Sequence, residues 1–196
     1  MGNQRRVVIF GGAFSPPTLA HEAIIAALLA LPHFDEIWVM PSGDRLDKDM
    51  TARDADRLAM LDLVRQVRFV NDSRLKISDF ELRMPRPSQT FQTVRALEQA
   101  FPGVAFWFAF GPDSYASMPS WPRGVELQHA LRIVLFSSGG PSVPAKKEVV
   151  RVNIPATLGD TSSTQARRLA ADGGSLQTQV SSPVARYIQT HALYAG

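Results

Sequence analysis

The amino-acid sequence predicts an α/β fold, in which a Rossmann-like, doubly wound and mostly parallel sheet carries helices on both faces. Two observations indicate this fold. Short apolar runs rich in β-branched residues alternate along the chain with longer segments whose apolar residues recur at helical spacing. Two of the apolar runs also end in glycine, at Gly11-Gly12 and at Gly111, as strands do where they enter a ligand-binding turn. We therefore expect a single domain over residues 1–196, with ligands at the carboxyl ends of its strands.

The individual elements follow from local patterns. Strands are predicted at residues 7–10, 36–40, 75–80, 104–110, 132–136 and 149–154, where apolar residues form short runs. Helices are predicted at residues 18–31, 55–69, 88–101, 164–171 and 184–191. Pro32 ends the first helix, and Ser88 or Thr90 is the expected N-cap of the third. The polar segment 41–50 and the proline-containing segment 141–147 are typical of surface loops.

The composition narrows the classes of function. Hydrophobic residues make up 45% of the 196 residues and charged residues 20%, an ordinary balance for a globular domain. No apolar run approaches the ~20 residues that a membrane-spanning helix needs, so no membrane partner is expected. The chain has no cysteine, which excludes disulfides and makes a cytoplasmic setting the default expectation. The basic residues are scattered rather than clustered with aromatic residues, so no nucleic-acid polymer is expected as a partner.

The segment 11–21, with the sequence Gly-Gly-Ala-Phe-Ser-Pro-Pro-Thr-Leu-Ala-His, follows the first predicted strand and opens a helix. Glycines at such a place let the backbone approach a ligand closely, and the helix N-terminus adds N–H groups and a partial positive charge. His21 falls in the first turns of this helix, where it can donate to a phosphate oxygen. The alternative is a strand–helix turn that is capped by Thr18 and contains an incidental histidine. The Gly-Gly pair alone does not decide between the two.

Two later segments also allow a structural and a functional interpretation. In the segment Gly111-Pro112-Asp113, the aspartate is either a helix N-cap or a carboxylate that accepts from sugar hydroxyls. The segment 162–167, Ser-Ser-Thr-Gln-Ala-Arg, is either the start of an N-capped surface helix or a phosphate-binding site. In the second case, the helix N-terminus and Arg167 hold the phosphates of ATP.

Taken together, the three segments match one known pattern. The chain resembles the nicotinate/nicotinamide mononucleotide adenylyltransferases of the H-x-G-H nucleotidyltransferase superfamily. Members of that family carry G-G-x-F-x-P, then [HT]-x-G-H, and later I-S-S-T-x-x-R. The resemblance extends along nearly the whole chain: residues 41–49 are similar to a loop that ends in P-P-H-K, residues 81–83 and 87–90 to E-x-x-R and P-S-Y-T, and Trp121 to a tryptophan beside the pyridine site.

The resemblance implies that the enzyme joins AMP from ATP to a pyridine mononucleotide in NAD biosynthesis, with release of pyrophosphate. The implied catalytic residues are His21, Thr18, Lys48 and Arg167. The implied ATP-binding residues are Gly11, Gly12, Ala13, Phe14, Gly111, Asp113, Ser162, Ser163, Thr164 and Arg167. The implied mononucleotide-binding residues are Ser42, Thr90 and Trp121. Mg²⁺ is expected to be held mainly by substrate phosphates, with no dedicated metal site in the protein.

Five residues depart from the family pattern. Ser15 stands in place of aspartate, Ala20 in place of glycine, Gln89 in place of tyrosine and Asp47 in place of histidine. Thr18 replaces the commoner histidine, although threonine is an accepted variant there. Two alternatives therefore stay open: an adenylyltransferase of the phosphopantetheine type, and a catalytically impaired protein that binds nucleotides in a regulatory role. The sequence also leaves open the choice between nicotinate and nicotinamide mononucleotide, and the oligomeric state.

Overall fold

The structure, a computed structural model, describes residues 4–43, 52–137, 149–153 and 160–195. Its strands are Arg5–Gly12 (β1), Glu36–Pro41 (β2), Leu75–Ile77 (β3), Val104–Phe110 (β4), Arg132–Ser137 (β5) and Val149–Asn153 (β6). Its α-helices are Leu19–Leu29 (α1), Asp54–Arg68 (α2), Thr90–Ala100 (α3), Pro112–Ser117 (α4), Gly124–Ala130 (α5), Ser163–Ala171 (α6) and Ser182–Thr190 (α7). Two short 3₁₀ turns lie at Glu81–Arg83 and Met118–Ser120.

The six strands form one parallel sheet in the order β3-β2-β1-β4-β5-β6. This order is typical of doubly wound nucleotide-binding sheets, in which the chain starts at the centre and winds outward in both directions. The prediction of a Rossmann-like fold is confirmed. The winding reverses between β1 and β4, and such a reversal opens a crevice at the carboxyl ends of the two strands.

Helices cover both faces of the sheet because successive side chains of a strand point to opposite sides. On one face, Val8 and Phe10 of β1 pack with Ile25 and Leu28 of α1. On the other face, Val7 and Ile9 belong to a cluster that includes residues of α3, α4 and α5. A third cluster lies between α2, α6 and α7. It fixes the two C-terminal helices against the outer side of α2.

Several element boundaries differ from the prediction. The third strand ends at Ile77 rather than at residue 80, because a 3₁₀ turn follows. In this turn Arg83 N–H donates to the Phe80 carbonyl at 3.3 Å, and it also lies 3.2 Å from the Asp79 carbonyl. The N-cap of α3 is Gln89, and neither Ser88 nor Thr90 takes that place. Gln89 N–H donates to Gln92 Oε1 at 3.0 Å, which closes a capping box.

Asp113 is not the N-cap of the helix that follows the second glycine segment, so the structural interpretation of this aspartate is wrong. Gly111 is the N-cap of α4, and Asp113 lies in the first turn of that helix. The short helices α4 and α5 were not predicted, since six and seven residues are too few to show a clear helical period. Within the described ranges, no helix is both long enough and apolar enough to span a bilayer.

Candidate active site

A cavity of about 400 Å³ opens at the carboxyl ends of β1, β2 and β4, where the winding of the sheet reverses. Its floor is formed by strand residues such as Ile9, Gly12 and Phe108. Residues from the loops, 3₁₀ turns and helices beyond the strands form its walls. They are Ser42, Glu81, Pro87, Ser88, Gln89, Thr90, Thr93, Ser114, Ser120, Trp121 and Pro122. Apolar surface with a few convergent polar groups is typical of a small-molecule site.

The glycine turn after β1 lies at the edge of this cavity, which both Gly11 and Gly12 line. A Cβ atom on Gly12 would lie 3.0 Å from the ring of Phe14, so this position has little room for a side chain. Phe14 is fully buried and packs on Phe10, with ring centroids 5.4 Å apart. Its side chain therefore belongs to the core, and only its backbone is available to ATP.

His21 is oriented by the start of its own helix. Thr18 N–H donates to His21 Nδ1 at 2.9 Å, and the Thr18 hydroxyl lies 2.9 Å from the same nitrogen. Because Nδ1 accepts, the neutral imidazole carries its proton on Nε2, which is then a donor. The ring packs against Phe14 with centroids 5.0 Å apart. Thr18 itself is fully buried, so its place is behind the histidine.

Helix α6 brings the third segment against the first. Arg167 Nη1 donates to the Ser15 carbonyl at 2.9 Å, and Ser163 Oγ donates to the Pro16 carbonyl at 2.8 Å. Ser162 is the N-cap of α6, since its Oγ accepts from Gln165 N–H at 3.1 Å. Thr164 is exposed in the first turn. Two segments that lie about 150 residues apart in the chain therefore form one surface.

Gln179 and Tyr194, which lie outside the three segments, hold this surface together. The Gln179 carbonyl accepts from Leu19 N–H at 2.9 Å, and Gln179 Oε1 accepts from Ser162 N–H at 3.0 Å. This one residue therefore joins the starts of α1 and α6. Tyr194 shares a hydrogen bond of 3.2 Å with Ser15 Oγ, and burial raises the pKa of its phenol to about 12. Gln179 lies outside any recognisable segment, and only its burial indicates its role.

The second segment lies at the same edge of the sheet, because β4 is the neighbour of β1. Asp113 is exposed at the start of α4, and Gly111 packs close to the Phe136 ring, 3.2 Å from the position of a Cβ atom. Neither residue lines the cavity, although Phe110 and Ser114 on either side of them do. Asp113 therefore lies beside the cavity and not in it.

The three residues expected to bind the mononucleotide all line the cavity. Trp121 packs edge-to-face on Phe110, with ring centroids 6.0 Å apart. The Ser42 hydroxyl is buried, and no described residue forms a hydrogen bond with it. A buried hydroxyl without a partner is costly, so this atom is a candidate contact for a ligand.

Lys48 lies outside the described residues. Among the residues that the structure describes, no group of three or more histidine, aspartate or glutamate side chains could hold a metal ion.

Comparisons with known proteins identify the family. The cytidylyltransferase-like family model matches residues 9–169. A relative from Albidiferax ferrireducens that carries the name probable nicotinate-nucleotide adenylyltransferase is 34% identical over 200 residues, which cover 97% of this chain and 98% of the relative. One from Synechococcus sp. (strain JA-3-3Ab) is 32% identical over 203 residues, which cover 97% and 95%. The chain belongs to the nicotinate-nucleotide adenylyltransferase family. The resemblance inferred from the three segments is confirmed.

Solved structures of nicotinic acid mononucleotide adenylyltransferases have the same fold as this chain. The chain superposes on the Plasmodium falciparum nicotinic acid mononucleotide adenylyltransferase in complex with NaAD with a TM-score of 0.83, at 21% identity and 97% coverage of both chains. The same enzyme in complex with APC gives a TM-score of 0.79. The chain therefore shares its overall fold with these solved structures.

Proposed function

We propose that this chain transfers the adenylyl group of ATP to the 5′-phosphate of nicotinate mononucleotide. The observation that carries the proposal is the joining of two subsites at one edge of the sheet. The cavity lined by Ser42, Thr90 and Trp121 meets the Gly11-Gly12 turn, and α6 lies against the loop that follows this turn. Relatives of nearly the same length carry the name of this activity, which favours nicotinate over nicotinamide mononucleotide.

The chemistry is an in-line displacement at the α-phosphorus. An oxygen of the mononucleotide 5′-phosphate forms a bond to that phosphorus, the bond to the bridging oxygen of the β-phosphate breaks, and pyrophosphate leaves with the electron pair. The nucleophile is already an anion, so the protein needs neither a general base nor a covalent intermediate. Catalysis is then mainly positioning and stabilisation of charge.

His21 is the residue that we expect to act at the reacting phosphate. Its Nε2–H is a preorganised donor, because the bond from Thr18 N–H to Nδ1 fixes both the tautomer and the ring. Thr18 thus supports catalysis by orienting His21. Phosphate oxygens gain charge as the leaving group departs, and a fixed donor stabilises them without reorganisation.

The remaining ATP contacts are proposed from their position. The backbone of residues 11–14 and the first turns of α1 and α6 supply N–H groups to the phosphates. Arg167 and Lys48 supply positive charge, and Asp113 with Gly111 faces the sugar. ATP brings Mg²⁺ with its phosphates. The scarcity of clustered carboxylates in the described part of the chain fits an ion held mainly by substrate and water.

Steady-state kinetics with ATP, Mg²⁺ and each mononucleotide test this proposal. We expect dinucleotide to form from both and kcat/KM to be higher for nicotinate mononucleotide. A higher kcat/KM for nicotinamide mononucleotide would reverse the substrate assignment. No dinucleotide from either would leave a protein that binds nucleotides without this activity.

A further inference from the structure

The peptide bond between Ser42 and Gly43 lies where the two proposed subsites meet. Ser42 N–H donates to the Gly12 carbonyl at 2.8 Å, which extends the pairing of β1 and β2 to the glycine turn. Ser42 also lines the cavity, and its buried hydroxyl has no partner among the residues that the structure describes. The hydrogen bonds on either side of Ser42 therefore fix the Cα atom from which its side chain reaches into the cavity.

Arg57 holds the carbonyl side of the peptide. This arginine of α2 is fully buried. Its Nη1 donates to the Ser42 carbonyl at 2.8 Å and to the Ala13 carbonyl at 3.0 Å, and its Nη2 donates to Asp54 Oδ1 at 2.6 Å. A buried guanidinium is costly unless its donors are paired. Here Nη1 and Nη2 are paired, whereas Nε has no hydrogen-bond partner among the described residues. Two of the acceptors are backbone atoms of the two proposed subsites.

Glu81 holds the N–H side of the same peptide. Its Oε1 accepts from Gly43 N–H at 3.1 Å and from Ser88 Oγ at 2.9 Å, and its Oε2 accepts from Thr93 Oγ1 at 3.2 Å. Ser88 and Thr93 are both buried. The packing is close at this point, since a Cβ atom on Gly43 would lie 2.7 Å from Ser88 Oγ.

The C=O and N–H groups of a trans peptide point in opposite directions. The Arg57 guanidinium, which can only donate, therefore lies on the carbonyl side of the Ser42–Gly43 peptide. The Glu81 carboxylate, which can only accept, lies on the N–H side. Hydrogen bonds to charged groups are stronger than those between neutral groups. Together, the bonds to Arg57 and Glu81 oppose rotation of the peptide plane.

We infer that Arg57 and Glu81 are a pair of positioning residues that hold the Ser42–Gly43 peptide so that the Ser42 hydroxyl meets an oxygen of the bound mononucleotide. The inference rests on the proposed function, because it assigns the cavity to the mononucleotide. Glu81 acts through Ser42, although it also lines the cavity. The test must therefore separate this indirect action from a direct contact with the ligand.

A double-mutant cycle makes that separation. Titration calorimetry would measure the Kd of nicotinate mononucleotide for the unmodified protein, Ser42→Ala, Glu81→Ala and the double variant. We expect Glu81→Ala to weaken binding about five- to tenfold in the unmodified background, as the loss of one bound hydroxyl does. In the Ser42→Ala background, we expect Glu81→Ala to change Kd by less than about twofold. The Kd of a non-hydrolysable ATP analogue should stay unchanged in Glu81→Ala.

Two further variants complete the design. Glu81→Gln keeps an oxygen that can accept from Gly43 N–H and Ser88, so we expect it to bind the mononucleotide nearly as the unmodified protein does. Asp62→Ala removes an exposed carboxylate of α2 that pairs with Arg65, and it should change no Kd. If Glu81→Ala does not fold, Arg57→Lys replaces it in the cycle that measures the Kd of the mononucleotide. This change weakens the hold on the Ser42 carbonyl, because one ammonium group cannot reproduce the guanidinium fork.

Equal losses from Glu81→Ala in both backgrounds would overturn the inference, and so would equal weakening of the ATP analogue. A Glu81→Gln variant as weak as Glu81→Ala would also contradict it. These outcomes leave the proposed function intact. The absence of mononucleotide binding by the unmodified protein would instead contradict the proposed function itself.

Discussion

The two ring nitrogens of His21 have different roles. Nδ1 accepts from Thr18 N–H and thereby caps α1, whereas Nε2 is the donor proposed to act on phosphate. Substitution by alanine removes both tasks at once and does not tell them apart. Glutamine is a good capping-box residue at this third helical position, so it can keep the first task and lose the second.

We predict that His21→Gln lowers kcat about 10²- to 10³-fold, the usual loss for one preorganised donor, while the melting temperature stays close to that of the unmodified protein. His21→Ala should lose as much turnover and also some stability, because its cap is gone. Kinetics and thermal unfolding of both variants make the check. Turnover within a few-fold of normal in His21→Gln would remove His21 from the mechanism.

Trp121 is expected to contact the mononucleotide and not ATP. Stacking of a base on an aromatic ring contributes about 1–3 kcal/mol. Trp121→Ala should therefore raise the KM of the mononucleotide by about fivefold to about a hundredfold and leave the KM of ATP nearly unchanged. Trp121→Phe, which keeps an aromatic face against Phe110, is the matched control and should lose much less. A parallel rise of both KM values in Trp121→Ala would contradict the assignment.

Ala20 stands where the family pattern has glycine, and it is only partly buried in the first turn of α1. We expect the methyl group to displace a bound nucleotide only slightly, with the polar groups of the three segments retained. We predict that Ala20→Gly raises kcat/KM by no more than about tenfold, which is ~1.4 kcal/mol of transition-state stabilisation. An inactive natural protein that becomes active on this change would show that Ala20 is an inactivating substitution.

At the scale of elements, a buried carboxylate lies where three helices meet. Glu22 of α1 is 2% exposed, and Arg68 of α2 lies 3.2 Å from its Oε2. Burial raises the pKa of the Glu22 carboxyl above its ordinary value, and the Ser181 hydroxyl at the start of α7 and the Arg68 charge offset only part of this rise. The folded protein therefore holds this proton more tightly than the unfolded chain does.

This raised pKa determines the sign of a pH effect. The stability contributed by protonated Glu22 is fully present below the ordinary glutamate pKa, and it is lost as the pH rises through the higher pKa of the folded state. Glu22→Gln stays neutral throughout. We predict that its melting temperature gains on that of the unmodified protein as the pH rises from about 4 to about 8. A constant difference across that range would contradict the prediction.

The elements that the sequence predicted correctly are those with strong local patterns. The apolar run of β4 and the long amphipathic helix α2 agree with the structure to within one residue. The errors fall where local patterns are weak, in the two short helices and at the end of β3. There, turn hydrogen bonds decide the structure, and single residues such as Asp79 supply them.

At the scale of the whole molecule, the sequence singled out the segments that the structure brings together at one edge of the sheet, but not how they hold one another. Arg167 meets Ser15, and Ser163 meets Pro16, through contacts between distant parts of the chain that no local spacing reveals. Glu81 stands in a segment that is similar to the family's E-x-x-R, yet only the structure places it and Arg57 on either side of one peptide. The extent of a single domain, the role of Lys48 and the cytoplasmic setting stay predictions.

The central claim is that this chain transfers an adenylyl group to a pyridine mononucleotide. Incubation with nicotinate mononucleotide, Mg²⁺ and ATP labelled at the α-phosphorus tests it most directly. We predict that the label appears in a dinucleotide, with one pyrophosphate released for each dinucleotide formed, and that His21→Gln makes this reaction far slower. Folded protein that binds ATP but places no label in a dinucleotide with either mononucleotide would contradict it.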